Sequence, residues 1–178
     1  NVAALVGHTT LRNNIMDDLA RSANPNEIAA MQLQLNEAIL DGALGLSTGL
    51  AYQSANHASS EEVLALGAVL KTHNAIYTTH LRTEFDGVLD AMDEAFSMEK
   101  HYDIKVIISH LKCAGKSNWG RAPELLAKFS EQGEHSQCSC DAYPYAASSS
   151  TLDLMQVTND FPIYITWSDP HPKMAEKL

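Results

Sequence analysis

Two rhythms of apolar residues alternate along this chain. Apolar runs of about six residues recur at 2–8 ("VAALVGH"), 43–49 ("ALGLSTG"), 75–80 ("AIYTTH"), 104–110 ("IKVIISH") and 137–145 ("QCSCDAYPY"). Between them the spacing becomes that of a helix face. Ile28, Met31, Leu35 and Ile39 fall on one side of a segment that begins with Asn24 and Pro25, an N-cap and first-turn pair, and stops at Gly42. Ser59 and Glu62 open the next helical segment with a capping-box pattern. Val88, Leu89, Met92, Ala95 and Phe96 mark a third within 84–101, and Pro123 sits in the first turn of a fourth at 122–132.

The predicted order is therefore β-α-β-α-β-α-β-α-β. The short runs lack strict polar alternation, as strands do when both faces are covered, and this predicts a parallel sheet flanked by helices. Such an α/β chain fits an open doubly wound sheet or about five of the eight units of a partial (β/α)8 TIM-type barrel. A flavodoxin-like open sheet calls for a phosphate-binding loop, and neither G-x-G-x-x-G nor G-x-x-x-x-G-K-[ST] occurs. After Tyr145 the alternation stops. Residues 1–145 are predicted as β/α units, and 146–178 as the start of a loop-rich insert.

Composition narrows the partners. The 178 residues carry 22 acidic against 12 basic side chains, a net charge of −10. No run of four basic residues occurs, so a nucleic-acid backbone is not the expected partner. No apolar stretch approaches the ~20 residues that span a bilayer, and no basic segment followed by an apolar one marks a secretory signal. No membrane partner is expected. Cys113, Cys138 and Cys140 have no disulfide-framework spacing and fit a reducing, cytoplasmic setting. The chain opens on Asn1 straight into an apolar run, so it reads as cut from a longer chain, with room for a targeting signal upstream.

Ligands of parallel β/α sheets bind at the carboxyl ends of the strands, and chemistry-bearing residues recur there. The runs end in His8 and Thr9, in Ser47 and Thr48, in His80 and Arg82, in His110 and Lys112, and in Asp141, Tyr143 and Tyr145. Two histidines at matched strand ends could converge on one zinc ion, which takes about three protein ligands and a water when catalytic. A lone histidine there would more simply be satisfied by backbone hydrogen bonds. H-E-x-x-H and paired C-x-x-C motifs do not occur. Arg82 and Lys112 could each neutralise a substrate carboxylate or close a rim salt bridge. Tyr143 and Tyr145 could donate into a pocket or pack with their hydroxyls at the rim. Cys138 and Cys140 read as small apolar residues rather than as a ligand pair. His57, His73, His101 and His135 read as loop or helix-end residues, and His171 sits between two prolines.

Taken together, "VGHTTLR", "GALGLSTGLAY", "YTTHLR", "IISHLK", "DAYPYAASSSTL" and "WSDPHP" resemble, in order, blocks of the N-acyl-D-amino-acid deacylases, or D-aminoacylases, of the amidohydrolase superfamily. The resemblance implies a (β/α)8 barrel with a small β-sandwich. It also implies zinc, one or two ions, and hydrolysis of N-acyl-D-amino acids to a carboxylate and a free D-amino acid. It assigns His80 and His110 to the metal, with His110 also polarising the scissile carbonyl. It assigns Lys112 and Tyr143 to the substrate carboxylate, and Tyr52 and Ser149 to the acyl and amide portion. The family's His-x-His pair, its cysteine ligand, its general-base aspartate and a carboxylate-binding arginine find no match here; Asp141 and Asp169 do not correspond to the base. The chain is thus expected to be a central segment of the catalytic domain, inactive and poor at retaining zinc when isolated, and able to self-associate through open barrel edges. Dihydropyrimidinases and dihydroorotases are the alternative hydrolases, but they lack the "YPYAASSST" block. A catalytically incomplete barrel fragment is the alternative that carries no activity.

Overall fold

The first strand is short because the chain turns into a helix almost at once. The computed structural model describes residues 1–150 and 162–164. In it β1 (Val6–Gly7) runs directly into α1 (His8–Ile15). The strand expected at 2–8 is corrected accordingly, and so is the placing of His8 at a strand end. His8 and Arg12, one helical turn apart, both reach the carboxylate of Glu62, and Leu11 between them is buried. Helical spacing satisfies all three at once; an extended chain would send His8 and Leu11 to opposite faces.

Local signals set the next elements. Asn24 Oδ1 accepts from the N–H groups of Asn26 and Glu27 while the Glu27 carboxylate accepts from Asn24 N–H, a closed capping box that starts α2 (Pro25–Leu40). Then come β2 (Gly45–Gly49) and α3 (Ser60–His73). Ser59 Oγ caps α3 through Glu62 N–H. The Glu62 side chain does not complete a box; it turns inward to His8 and Arg12. After β3 (Ile76–His80) follow α4 (Val88–Tyr102), β4 (Val106–Ile108), a 3₁₀ turn at Lys116–Asn118, α5 (Ala122–Ser130) and β5 (Cys138–Cys140). The last strand is shorter than the run at 137–145 predicts.

All five strands pair in parallel in the order β1-β2-β3-β4-β5. Sequential order with no reversal is that of a (β/α)8 barrel segment and excludes the flavodoxin-like order. Leu46, Tyr77, Val106 and Ile108 share one sheet face and belong to the same buried cluster as Met31, Leu35, Leu66, Leu70, Met92 and Phe96 from α2, α3 and α4. Each such side chain contributes on the order of 1.5–3 kcal/mol by burial. Helices α3 and α4 approach closely at Gly67, where a Cβ would lie 2.5 Å from the Tyr102 ring. On the opposite sheet face Ser47, Thr78 and Ile107 are half-buried and Ser139 is exposed. The expectation of two equally covered faces is thus corrected: the strands do alternate, with small or polar residues on the second face.

The chain forms two compact units, Asn1–Tyr143 and Pro144–Leu178. In the second, Tyr145, Ser149 and Tyr164 are exposed. Thr151, Asp169, His171 and the block at 167–172 lie outside the described residues. No helix among the described residues is long and apolar enough to cross a membrane.

Candidate metal centre

Strand register alone would not bring the two strand-end histidines together. Thr79 pairs with Ile108, so His80 stands abreast of Ser109, whose N–H donates to Thr79 O at 2.9 Å. Side chains alternate along a strand, so an extended His110 would point to the helix-covered face. Instead His110 takes φ +43°, a left-handed conformation uncommon outside glycine, asparagine and aspartate. Asp141 holds that turn from the next strand end. Its Oδ1 accepts from His110 N–H at 2.6 Å, and its carbonyl accepts from Leu111 N–H at 2.8 Å. The result is His80 Nδ1 3.0 Å from His110 Nε2, with the rings edge to face at 4.6 Å.

Tyr52, in the loop after β2, lies with its ring 5.0 Å from that of His80. It comes this close because Gly49 has no Cβ; one there would sit 2.8 Å from the Tyr52 ring. Glu84 closes the other side. Its backbone carbonyl accepts from Ala114 N–H at 2.7 Å, which ties the loop after β3 to the loop after β4. Its buried side chain puts Oε1 3.1 Å from His110 Nδ1 and 2.6 Å from Lys112 Nζ. Lys112 Nζ also donates to His110 O at 3.1 Å and stands 5.5 Å from the centre of the Tyr143 ring.

Does this donor set fit a metal? One ligand atom each from His80, Glu84 and His110 lies within 4.8 Å of the others. Two nitrogens bound to one tetrahedral zinc at ~2.0–2.1 Å stand about 3.3 Å apart, so the observed 3.0 Å needs little adjustment. Burial lowers the His80 pKa below its ordinary value of 6.5; the His110 and Lys112 charges act in the same sense and Glu84 opposes them. A depressed pKa keeps the imidazole neutral, which is the form that ligates. Two imidazole nitrogens at this separation suit zinc.

His80, His110, Lys112, Tyr143 and Tyr52 therefore lie together in the first unit, whereas Ser149 belongs to the second. Arg82 is accounted for elsewhere: Nε and Nη2 grip both oxygens of Glu94 at 2.8 and 2.7 Å, and Nη1 donates to Asn56 O. Thr48 is buried in a hydroxyl network with Tyr77 and Thr79. His73 is half-buried against Asn36 rather than free at a helix end. Cys138 is no plain apolar filler, since its thiol donates to Glu99 at 2.8 Å, and Cys140 is exposed. Sequence reasoning gave Glu84 no role, although it stands four residues after His80 in "THLRTE". It also left Asp141 without its part as the brace of His110.

The parallel β/α units thus bring two facing imidazoles and a cation together at the carboxyl edge, a donor set that could hold a metal ion. No protein-family model matches the chain. Over 175 residues it is 39% identical to D-aminoacylase of Alcaligenes xylosoxydans xylosoxydans, covering 98% of this chain and 36% of that protein. To the N-acyl-D-aspartate deacylase of the same organism it is 41% identical, covering 97% and 35%. A D-aminoacylase crystal structure, one that defines a novel subset of amidohydrolases, superposes with a TM-score of 0.93 at 41% identity, covering 98% of this chain and 37% of that one. The N-acyl-D-glutamate deacylase of Bordetella bronchiseptica, complexed with zinc and a phosphonate mimic of the tetrahedral intermediate, superposes at 0.91 with 39% identity and the same coverage. The chain belongs to the D-aminoacylase and N-acyl-D-amino-acid deacylase family, and it spans little more than a third of the length of these relatives.

Proposed function

We propose that this chain supplies part of the active site of a zinc-dependent hydrolase that cleaves N-acyl-D-amino acids to a carboxylate and a free D-amino acid. The observation that carries this reading is the 3.0 Å approach of His80 Nδ1 to His110 Nε2 with the Lys112 ammonium on the far side of the His110 ring. His80 and His110 would hold the metal. A zinc ion there would polarise an amide carbonyl and activate water.

The remaining residues bind and orient. The Lys112 ammonium, which stands against Glu84 Oε1, His110 O and His110 Nδ1, supplies the positive charge for the carboxylate of a D-amino acid. Tyr143, whose ring lies against Lys112, lines the same end. Tyr52, beside His80 and 37% exposed, borders the acyl and amide portion. By the resemblance of its "AASSS" block, Ser149 is read as a further group for the acyl and amide portion. The relatives favour this substrate class over cyclic amides, since those compared are named for D-amino acids. Free thiols at Cys113, Cys138 and Cys140 suit a reducing, cytoplasmic setting. The outer edges of β1 and β5 have no strand partner among the described residues and favour self-association by edge pairing.

Zinc content and hydrolysis of N-acetyl-D- and N-acetyl-L-amino acids, measured on the intact protein and its His80→Ala and His110→Ala variants, test the reading. D-selective turnover lost together with zinc in both variants is expected. Full turnover in either variant overturns it.

A further inference from the structure

Glu84 touches both the proposed metal ligand His110 and the proposed substrate ligand Lys112, and the reading above gives it no task. Its carboxylate meets His110 at Nδ1, whereas the nitrogen that faces His80 is Nε2. The two contacts use opposite sides of one ring. Lys112 Nζ lies 3.0 Å from the same Nδ1. These neighbours make incompatible demands: a carboxylate accepts an Nδ1–H, while an ammonium donates to an Nδ1 lone pair. If Lys112 prevailed, the hydrogen would sit on Nε2 and His110 would turn an N–H, not a lone pair, towards His80 and any cation there. Glu84 prevents this in two ways. It accepts the Nδ1–H, and at 2.6 Å it gives Lys112 a stronger acceptor than the ring.

We propose that Glu84 is not a metal ligand but the positioning residue that fixes the His110 tautomer, keeping the Nε2 lone pair directed at the metal by capturing Lys112. This inference rests on the two-histidine metal reading. Carboxylates that orient a ligating imidazole commonly change metal affinity by ~10–100-fold when removed.

The test uses the intact protein and three variants, E84A, E84Q and E84A/K112M. Two quantities are read: zinc affinity, by competition with a chromophoric chelator, and the ring ¹⁵N resonances of His110 in zinc-free protein. Wild type should show hydrogen on Nδ1. E84A should move it to Nε2 and weaken zinc binding by about 10–100-fold. E84Q, whose amide oxygen still accepts from Nδ1–H, should keep the wild-type tautomer and stay within about threefold in affinity. E84A/K112M, which removes the competing donor, should recover part of the affinity lost in E84A, a non-additivity that a merely structural role would not produce. An E84Q loss of zinc as severe as that of His80→Ala would make Glu84 a ligand and overturn the proposal. An unchanged tautomer in E84A would overturn it as well. Failure of the underlying reading looks different: the histidine variants would keep zinc, while the zinc-free tautomer would still report on Glu84.

Discussion

Asp141 Oδ1 accepts from the backbone N–H of His110 at 2.6 Å, where the main chain turns left-handed, φ +43°. A left-handed non-glycine residue costs roughly 1–2 kcal/mol, and a charge-assisted hydrogen bond contributes about 1.5–3 kcal/mol. The brace can therefore offset the strain. Asp141→Ala should lower unfolding free energy by about 1–2 kcal/mol and weaken zinc binding by letting His110 swing towards the other sheet face. Asp141→Asn, which retains an acceptor oxygen, should be milder on both counts. Urea unfolding and zinc competition on the two variants check this, and equal effects from Ala and Asn would count against the brace.

Arg82 stands two residues after His80, as Lys112 stands two after His110, yet the two cations do different work. Arg82 is clamped to Glu94 on α4, and Ser60 Oγ donates to the same carboxylate from α3. Arg82→Met should cost stability, on the order of 1–2 kcal/mol for a half-buried bidentate pair, while leaving zinc affinity and the Michaelis constant for N-acyl-D-amino acids nearly unchanged. Lys112→Met, which removes the proposed carboxylate anchor, should instead raise the Michaelis constant with little loss of zinc affinity. Thermal unfolding and steady-state kinetics on the pair separate them.

What the sequence made legible follows from range. The capping of α2 by Asn24 and Glu27, the helix face of Met31 and Leu35, and the strand ending on His80 are local, and pattern alone locates them. The inward turn of Glu62 is not local. Ser59-x-x-Glu62 has the pattern of a capping box, and only tertiary contact with His8 and Arg12, some fifty residues earlier, claims the side chain instead. The same contacts draw His8, predicted at a strand end, into α1. At the site, the histidine pair stood out by its repeated "HL" context, but the reason the two rings meet lies in a backbone torsion and in Asp141 on a third strand. Neither leaves a mark in a periodicity. Glu84 escaped notice because its partners, His110 and Lys112, lie 26 and 28 residues on.

The thiols of Cys138 and Cys140 should differ sharply in reactivity. Cys138 is half-buried and donates to Glu99; burial first, and the Glu99 carboxylate next, push its pKa up to about 12. Cys140, two residues on, is exposed, with a more modest rise from burial and Asp141. The thiolate is the nucleophile, so iodoacetamide at pH 8 should label Cys140 well before Cys138 in the native protein. Peptide mass spectrometry over time gives the order. Replacing Glu99 with Gln should speed labelling of Cys138, because the anion that opposes thiolate formation is gone.

The buried group of His8, Arg12 and Glu62 sets a pH limit on stability. Arg12 donates to the Glu62 carboxylate and to the carbonyls of Leu19 and Arg21, and the second Glu62 oxygen accepts from Ala23 N–H at 2.8 Å. Burial pushes the Glu62 pKa up, but the hydrogen bonds from His8, Arg12 and Ala23 outweigh it and carry the carboxyl below its ordinary value of 4.5. The folded state thus binds the proton more weakly than the unfolded one. Its contribution is complete above pH 4.5 and is lost as pH falls through the lower native value. Glu62→Gln keeps the shape, removes the charge and leaves Arg12 buried without its anion. It should cost about 3–5 kcal/mol near neutrality and flatten the acid limb of the stability profile. Denaturant unfolding of wild type and variant between pH 3 and 7 measures both, and parallel curves would show that Glu62 does not carry the pH dependence.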